Sequence, residues 1–231
     1  EPPHDAHDMP KIITAIRQLH FPDEIAEAET ARRRLAFDEF VALQSTIRDR
    51  KAKLQHNTQS RDCTGNGTLM NLFTKSLGFE MTGAQQKVIG EIKTDLGGRL
   101  PMRRLLQGDV GSGKTAVAAS AILMTLESGY NTLLMAPTEI LTEQHGQTFR
   151  QWLEPLGIPV KLQTGSRHEV DDEPSLFESN DQPILVVGTH ALFQSGFQLD
   201  NIGLVVIDEQ HKFGVEQRNE LLRKGDYPHL L

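Results

Sequence analysis

The chain has 231 residues, enough for one sizeable domain or one domain plus an appendage. Its 38% hydrophobic and 24% charged residues fit a soluble globular protein, and the single cysteine, Cys63, excludes an internal disulfide and suits a reducing compartment. The formal charge of −7 does not advertise nucleic acid, although a strip of phosphate contacts can sit on an acidic protein. No apolar run approaches the ~20 residues of a membrane-spanning helix. With Glu1 first and no signal-peptide pattern, the chain reads as a fragment of a cytoplasmic protein.

Residues 1–10 are rich in Pro and His and read as an extended lead-in; His4, His7 and Asp8 suit a solvated tail better than a metal site. Residues 11–20 predict a short helix ended by Phe21-Pro22. Over residues 26–53, Ala36, Phe40, Leu43, Ile47 and Leu54 recur at helical spacing and predict one apolar face of a long helix. Arg32, Arg33 and Arg34 lie on that helix, either as a solvated turn or as a nucleic-acid contact. Residues 56–68 are polar, carry Gly65-Asn66-Gly67, and read as a linker, so the main domain is placed at 69–231 after a helical connector at 1–68.

The remainder alternates strand and helix. Residues 105–107 read as the end of a strand, and 132–136, 184–187 and 204–207 are short uninterrupted apolar runs. Such runs suit strands covered on both faces of a parallel sheet. Residues 160–163 are a weaker strand; 85–96, 115–128 and 139–153 predict helices, the last holding Trp152 as a core residue. This order predicts a doubly wound α/β fold with ligands at the carboxyl ends of the strands.

Two stretches carry chemistry. Gly108-Asp109-Val110-Gly111-Ser112-Gly113-Lys114-Thr115 matches G-x-x-x-x-G-K-[ST], a loop whose backbone N–H groups and following helix N-terminus converge on phosphate. Leu204-Val205-Val206-Ile207-Asp208-Glu209-Gln210-His211 is a buried strand that delivers two adjacent carboxylates at its tip. Mg²⁺ takes few protein oxygens, so Thr115 and Asp208 would suffice, with nucleotide phosphates and water supplying the rest. Lys114 would neutralise β- and γ-phosphate charge, and Glu209 would orient or deprotonate the attacking water. Alone, Asp208-Glu209 is equally an acidic turn, and Asp208 with His211 a metal-hydrolase pair; the upstream loop favours ATP with Mg²⁺.

Asp208-Glu209-Gln210-His211 resembles the DExH box of superfamily 2 helicases. Met135-Ala136-Pro137-Thr138-Glu139-Ile140-Leu141, Glu143-Gln144-His145, Val187-Gly188-Thr189-His190-Ala191-Leu192 and the run from Ile207 through Phe213 to Arg218 narrow the resemblance to the RecG family of bacterial DNA helicases. It covers most of 79–218 and, more faintly, the Arg33-Leu35-Phe37-Glu39 helix.

The resemblance implies a RecA-like motor domain and particular roles. Phe79 would pack near adenine and Gln85 would hydrogen-bond its edge; the alternative is that Thr82 is a helix N-cap and Gln85 a surface residue. Thr138, Glu139, Gly165, Gly188, Thr189 and His190 would track the DNA backbone, though Thr138 and Glu139 also suit a helix cap and first turn. Gln210 and His211 would couple the nucleotide site to DNA, which puts His211 beside Lys114, Asp208 and Glu209 in the catalytic set.

Two departures from the family pattern stand out. Glu169, Asp171, Asp172, Glu173 and Glu178 make the stretch after Gly165 short and acidic, and Leu230-Leu231 falls where the family continues into a second motor domain. That domain would bring the arginine for the phosphoryl-transfer transition state, and a wedge engaging branched DNA also lies outside the chain, so a monomeric fragment would bind nucleotide yet hydrolyse it poorly. The competing readings are a transcription-repair coupling translocase, a nucleotide-regulated binding module, and a nucleotidase that does not use DNA.

Overall fold

The computed structural model describes residues 9–57, 60–170, 182–193, 197–214 and 228–231. Two compact units divide between Asn57 and Thr58.

The first unit is a helical hairpin, α1 (Ile12–His20) and α2 (Ile25–Asn57). Small side chains let the helices approach closely: Ala15 and Ala31 are fully buried. Arg34 is buried as well, its guanidinium 2.7 Å from Asp38 one turn on, so it belongs neither to a solvated turn nor to a free basic surface. Arg32 and Arg33 are exposed. The apolar stripe predicted for α2 is not buried: Phe40, Leu43 and Ile47 are 64%, 53% and 47% exposed. The helix packs through Ala31 and Arg34, a face that the periodicity of large apolar residues does not mark.

In the second unit the linker is attached well before residue 68. Cys63 N–H donates to the Leu96 carbonyl (3.2 Å), the Arg61 guanidinium to the Ile202 carbonyl, and Gly65 N–H to Ser128 Oγ (2.9 Å). Burial pushes the Cys63 thiol up to about 12, leaving it protonated and inert. A helix absent from the sequence reading follows, α3 (Thr68–Ser76); the Glu127 carboxylate accepts from Gly67 and Leu69 N–H at its start.

Among the described residues the sheet holds five parallel strands, β1 (Asn131–Met135), β2 (Val160–Gln163), β3 (Leu185–Gly188), β4 (Ile202–Ile207) and β5 (His229–Leu230), in the order β2-β3-β1-β4-β5. Alternate residues face opposite sides, as the strand period requires. Leu134, Val187 and Val206 pack against α3, α4 (Gly83–Leu96), α5 (Lys114–Glu127) and α6 (Glu139–Leu153), while Leu133, Met135, Val186 and Val205 pack with Leu192 and Phe197. Burial on both faces explains the unbroken apolar runs. Eleven successive residues of α5, Ala116 to Leu126, are buried, making it the central helix. Trp152 stacks edge-on with Phe73 and Phe149, in the core as expected.

One predicted strand moves. Residues 105–107 form no ladder, and Leu105 is 63% exposed; the β-bridge lies earlier, at Arg103 with Leu230. Among the described residues β5 is the only partner offered to this segment and has two residues, so pairing ends at Arg104 N–H to the Leu230 carbonyl (3.0 Å). The segment that leads into the glycine loop is therefore separated from β4 by β5.

Candidate nucleotide site

The glycine loop turns where the backbone enters the left-handed region, at Gly111 (φ 80°) and Gly113 (φ 78°), which glycine adopts without a Cβ penalty. Gly113 is also the N-cap of α5, so the helix N-terminus opens at Lys114. The Lys114 ammonium donates to the carbonyls of Gly108 (2.7 Å) and Asp109 (2.8 Å), folding the side chain over the loop.

Gln85 is tied to the same loop. Its amide oxygen accepts from Thr82 N–H (2.8 Å), while Thr82 Oγ1 accepts from Gln85 N–H (3.3 Å), a reciprocal capping box. Its amide nitrogen donates to the Ser112 carbonyl (2.8 Å). Thr82 is thus the N-cap, but Gln85 is more than a surface residue, and both atoms of its amide are engaged within the protein. Phe79 is half exposed nearby in the chain.

The acidic strand tip stands across a cavity of about 1160 Å³ whose lining includes Lys114, Thr115, His145, Asp208, Glu209 and His211. Asp208 N–H donates to the Met135 carbonyl (2.9 Å), continuing the sheet to its last residue. The Asp208 carboxylate lies below the usual range because His145 Nε2 hydrogen-bonds Oδ2 at 2.8 Å. Glu209 N–H to Oδ1 (3.0 Å) and the Lys114 charge act in the same direction, and partial burial opposes them. Glu209 adopts φ 52°, uncommon for a residue with a Cβ, and its carboxylate lies 3.4 Å from His211 Nε2. Such strain at a strand tip is characteristic of sites that re-aim a side chain.

The six positions expected to track DNA fall at the ends of three neighbouring strands: Thr138 and Glu139 after β1, Gly165 after β2, and Gly188, Thr189 and His190 at and after β3. Thr138 caps α6 by accepting from Leu141 N–H (3.3 Å), and Glu139 accepts from Ser166 Oγ (3.2 Å), joining two of these loops. Thr138, Glu139, Gly165 and His190 are exposed, whereas Gly188 and Thr189 are buried. A Cβ on Gly188 would come within 2.4 Å of the Gln163 carbonyl, and Thr189 N–H donates to that same oxygen (3.1 Å). These two residues shape the ledge from beneath.

Of the acidic stretch, Glu169 is structural: it accepts from Leu162 N–H (2.8 Å) and Arg150 (2.6 Å). Asp171, Asp172, Glu173, Glu178 and Arg218 lie outside the described residues, as do His4, His7 and Asp8. Phe213 packs against the smaller core cluster.

Sequence reasoning assigned no role to His145. It lies one turn before buried Phe149, on the stripe of α6 that also buries Thr142, Gly146 and Leu153. A titratable residue at the edge of an inward stripe, beside a strand tip, was the available signal.

A parallel sheet with a glycine loop and an acidic tip facing one cavity defines a RecA-like P-loop domain. The chain belongs to the DEAD/DEAH box helicase family, whose profile matches residues 82–226. Within that family it is similar to the ATP-dependent DNA helicase RecG of Synechocystis sp., 47% identical over 98% of this chain and 27% of the relative. The RecG of Escherichia coli K12 is 40% identical over 100% of the chain and 35% of its own length. The chain thus spans about a third of the curated relatives it matches. A solved structure of RecG bound to a three-way DNA junction superposes with a TM-score of 0.80 at 36% identity, over 99% of this chain and 31% of that one. A hypothetical ATP-dependent RNA helicase from Sulfolobus tokodaii shares the fold, with a TM-score of 0.51 at 22% identity over 70% of this chain and 48% of that one. Among the described residues, no helix is long and apolar enough to cross a membrane.

Proposed function

We propose that residues 69–231 are the first motor domain of a RecG-type ATP-dependent DNA helicase, with residues 1–68 as its helical connector. The whole protein would couple ATP hydrolysis to remodelling of branched DNA such as stalled forks and Holliday junctions, acting as a cytoplasmic monomer. The observation that carries this reading is the shared cavity: Lys114 and Asp208 line it together, and the lysine charge helps keep Asp208 ionised.

The residues fit a magnesium–nucleotide. Thr115 and Asp208 line one cavity and offer a hydroxyl and a carboxylate, a donor set that suits an ion which takes few protein oxygens. Thr115 and Asp208 would hold Mg²⁺, which when bound neutralises charge on the transferring phosphate. Lys114 would leave the Gly108 and Asp109 carbonyls for β- and γ-phosphate oxygens, and the backbone N–H groups of 111–115 would complete the cradle. Glu209 would take the proton of the attacking water; His211, paired with it, would hold its carboxylate and with Gln210 relay its state toward the DNA side. The ledge at Thr138, Glu139, Gly165 and His190, supported by Gly188 and Thr189, would meet the DNA backbone without reading bases. Gln85, held to the loop through Ser112, would hydrogen-bond the adenine edge, and Phe79 would pack near the ring. A second motor domain and a wedge, outside this chain, would supply the transition-state arginine and the junction contact.

The deciding experiment is ATPase activity of the intact protein with and without forked DNA. Stimulation by the fork is the expected result. Hydrolysis indifferent to DNA would reduce the protein to a nucleotidase, and binding without hydrolysis would make it a nucleotide switch. The isolated chain should bind nucleotide but turn it over slowly, since an arginine finger contributes about 10³–10⁵ in rate.

A further inference from the structure

We propose that His145 is a positioning residue for Asp208, fixing the carboxylate at the strand tip from the body of helix α6. This inference rests on the nucleotide-site reading above.

The contact is short, 2.8 Å from His145 Nε2 to Asp208 Oδ2. A carboxylate held ionised can only accept, so the imidazole presents Nε2–H to it. The other oxygen, Oδ1, accepts from Glu209 N–H. Each oxygen therefore has one partner and keeps further acceptor capacity, and the two bonds together set the rotation of the carboxylate plane. Without His145, a backbone N–H from the residue in the left-handed turn would be the one hydrogen bond left to it among the described residues.

Helix α6 is suited to hold the imidazole in place. A Cβ on Gly146 would come within 2.5 Å of a Leu162 methyl, so the helix packs closely on β2 there. The adjacent residue is His145. Its ring sits 6.4 Å from that of Phe149, which is buried and itself packed against Trp152 at 5.9 Å. The same helix begins at Thr138 and Glu139, so one rigid element carries both the ledge on the strand ends and the group that aims Asp208. Partners that orient a metal-binding carboxylate typically change metal affinity about 10- to 100-fold when removed.

The test is affinity for a fluorescent ADP, measured on the intact protein in Mg²⁺ and in EDTA, with thermal melting alongside. His145→Ala should weaken binding in Mg²⁺ by about tenfold or more and leave binding in EDTA unchanged. His145→Gln, whose amide nitrogen reaches the position of Nε2, should restore most of the loss; His145→Asn, too short, should not. Equal affinity of all four proteins in Mg²⁺ would overturn the proposal, as would parallel losses in Mg²⁺ and EDTA, which mark a packing role. Lys114→Ala serves as the separate control: if it leaves both affinities intact, the nucleotide-site reading itself fails.

Discussion

The side-chain amide of Gln85 donates to the Ser112 carbonyl at 2.8 Å, so the helix that begins after Thr82 grips the glycine loop directly. The same amide closes the capping box at that helix start. Gln85→Ala removes both interactions and should cost about 1 kcal/mol of stability. Gln85→Glu keeps a carboxylate able to accept from Thr82 N–H but sets it against the Ser112 carbonyl. Urea denaturation should find the Glu variant the more stable of the two, while nucleotide titration should find both weakened.

Lys114 spends its charge on two loop carbonyls and on no core group. Lys114→Ala should therefore leave the melting temperature within a few degrees of the parent. Nucleotide binding, followed by calorimetry, should fall below detection, because the ammonium is the one side-chain cation inside the loop. Binding of parental strength would remove Lys114 from the site.

His229 gives the second unit a pH dependence. Burial is the main reason its imidazole titrates below the ordinary 6.5, with the Arg103 and Arg61 charges adding to the effect and the Arg61 carbonyl opposing it. Its Nδ1 accepts from Met102 N–H (2.9 Å) and its Nε2 faces the Arg61 carbonyl (2.8 Å), so the neutral ring bridges the linker and the segment leading to the glycine loop. Between the folded and unfolded values the unfolded chain binds more protons. Stability should be complete above about pH 6.5 and decline as pH falls through the folded value. Chemical denaturation at pH 7.5 and 5.5 measures the slope, and His229→Asn, which cannot charge, should flatten it.

Glycine substitutions separate close approach from open surface. Gly188→Ala drives a methyl into the Gln163 carbonyl and Leu192 and should destabilise by about 1–3 kcal/mol. Gly90, exposed in the middle of α4, has nothing within 4 Å of the added carbon, and Gly90→Ala should stabilise by about 0.5–1 kcal/mol. Shifts in urea midpoint of opposite sign would establish the contrast.

The central strands of the second unit were legible because both-face burial writes itself as unbroken apolar runs: 184–187 overlaps β3, and 204–207 lies within β4, whereas β2, with Lys161 and Gln163 in it, gave only a weak signal. Helix α3 escaped notice since its start is held by Glu127, 58 residues away from Leu69, a tertiary cap that no local pattern announces. On α2 the apolar face and the packed face differ: the hairpin closes on alanines and a paired arginine, and period alone cannot tell a packed stripe from an exposed one. At the site, motif spacing located Lys114 and Asp208 but not their partners. The bonds from Gln85 to Ser112 and from His145 to Asp208 join residues 27 and 63 positions apart, brought together only by tertiary packing.

Strand β5 has only two residues, yet it is the spacer between the Arg103 segment and β4. Two interstrand spacings set the backbones of those walls roughly 9–10 Å apart. On the proposed reading, a short anion seated on the glycine loop would leave the aspartate wall untouched, whereas a chain of phosphates would reach across to it. The width of one narrow strand thus gauges how long an anion must be before both walls feel it.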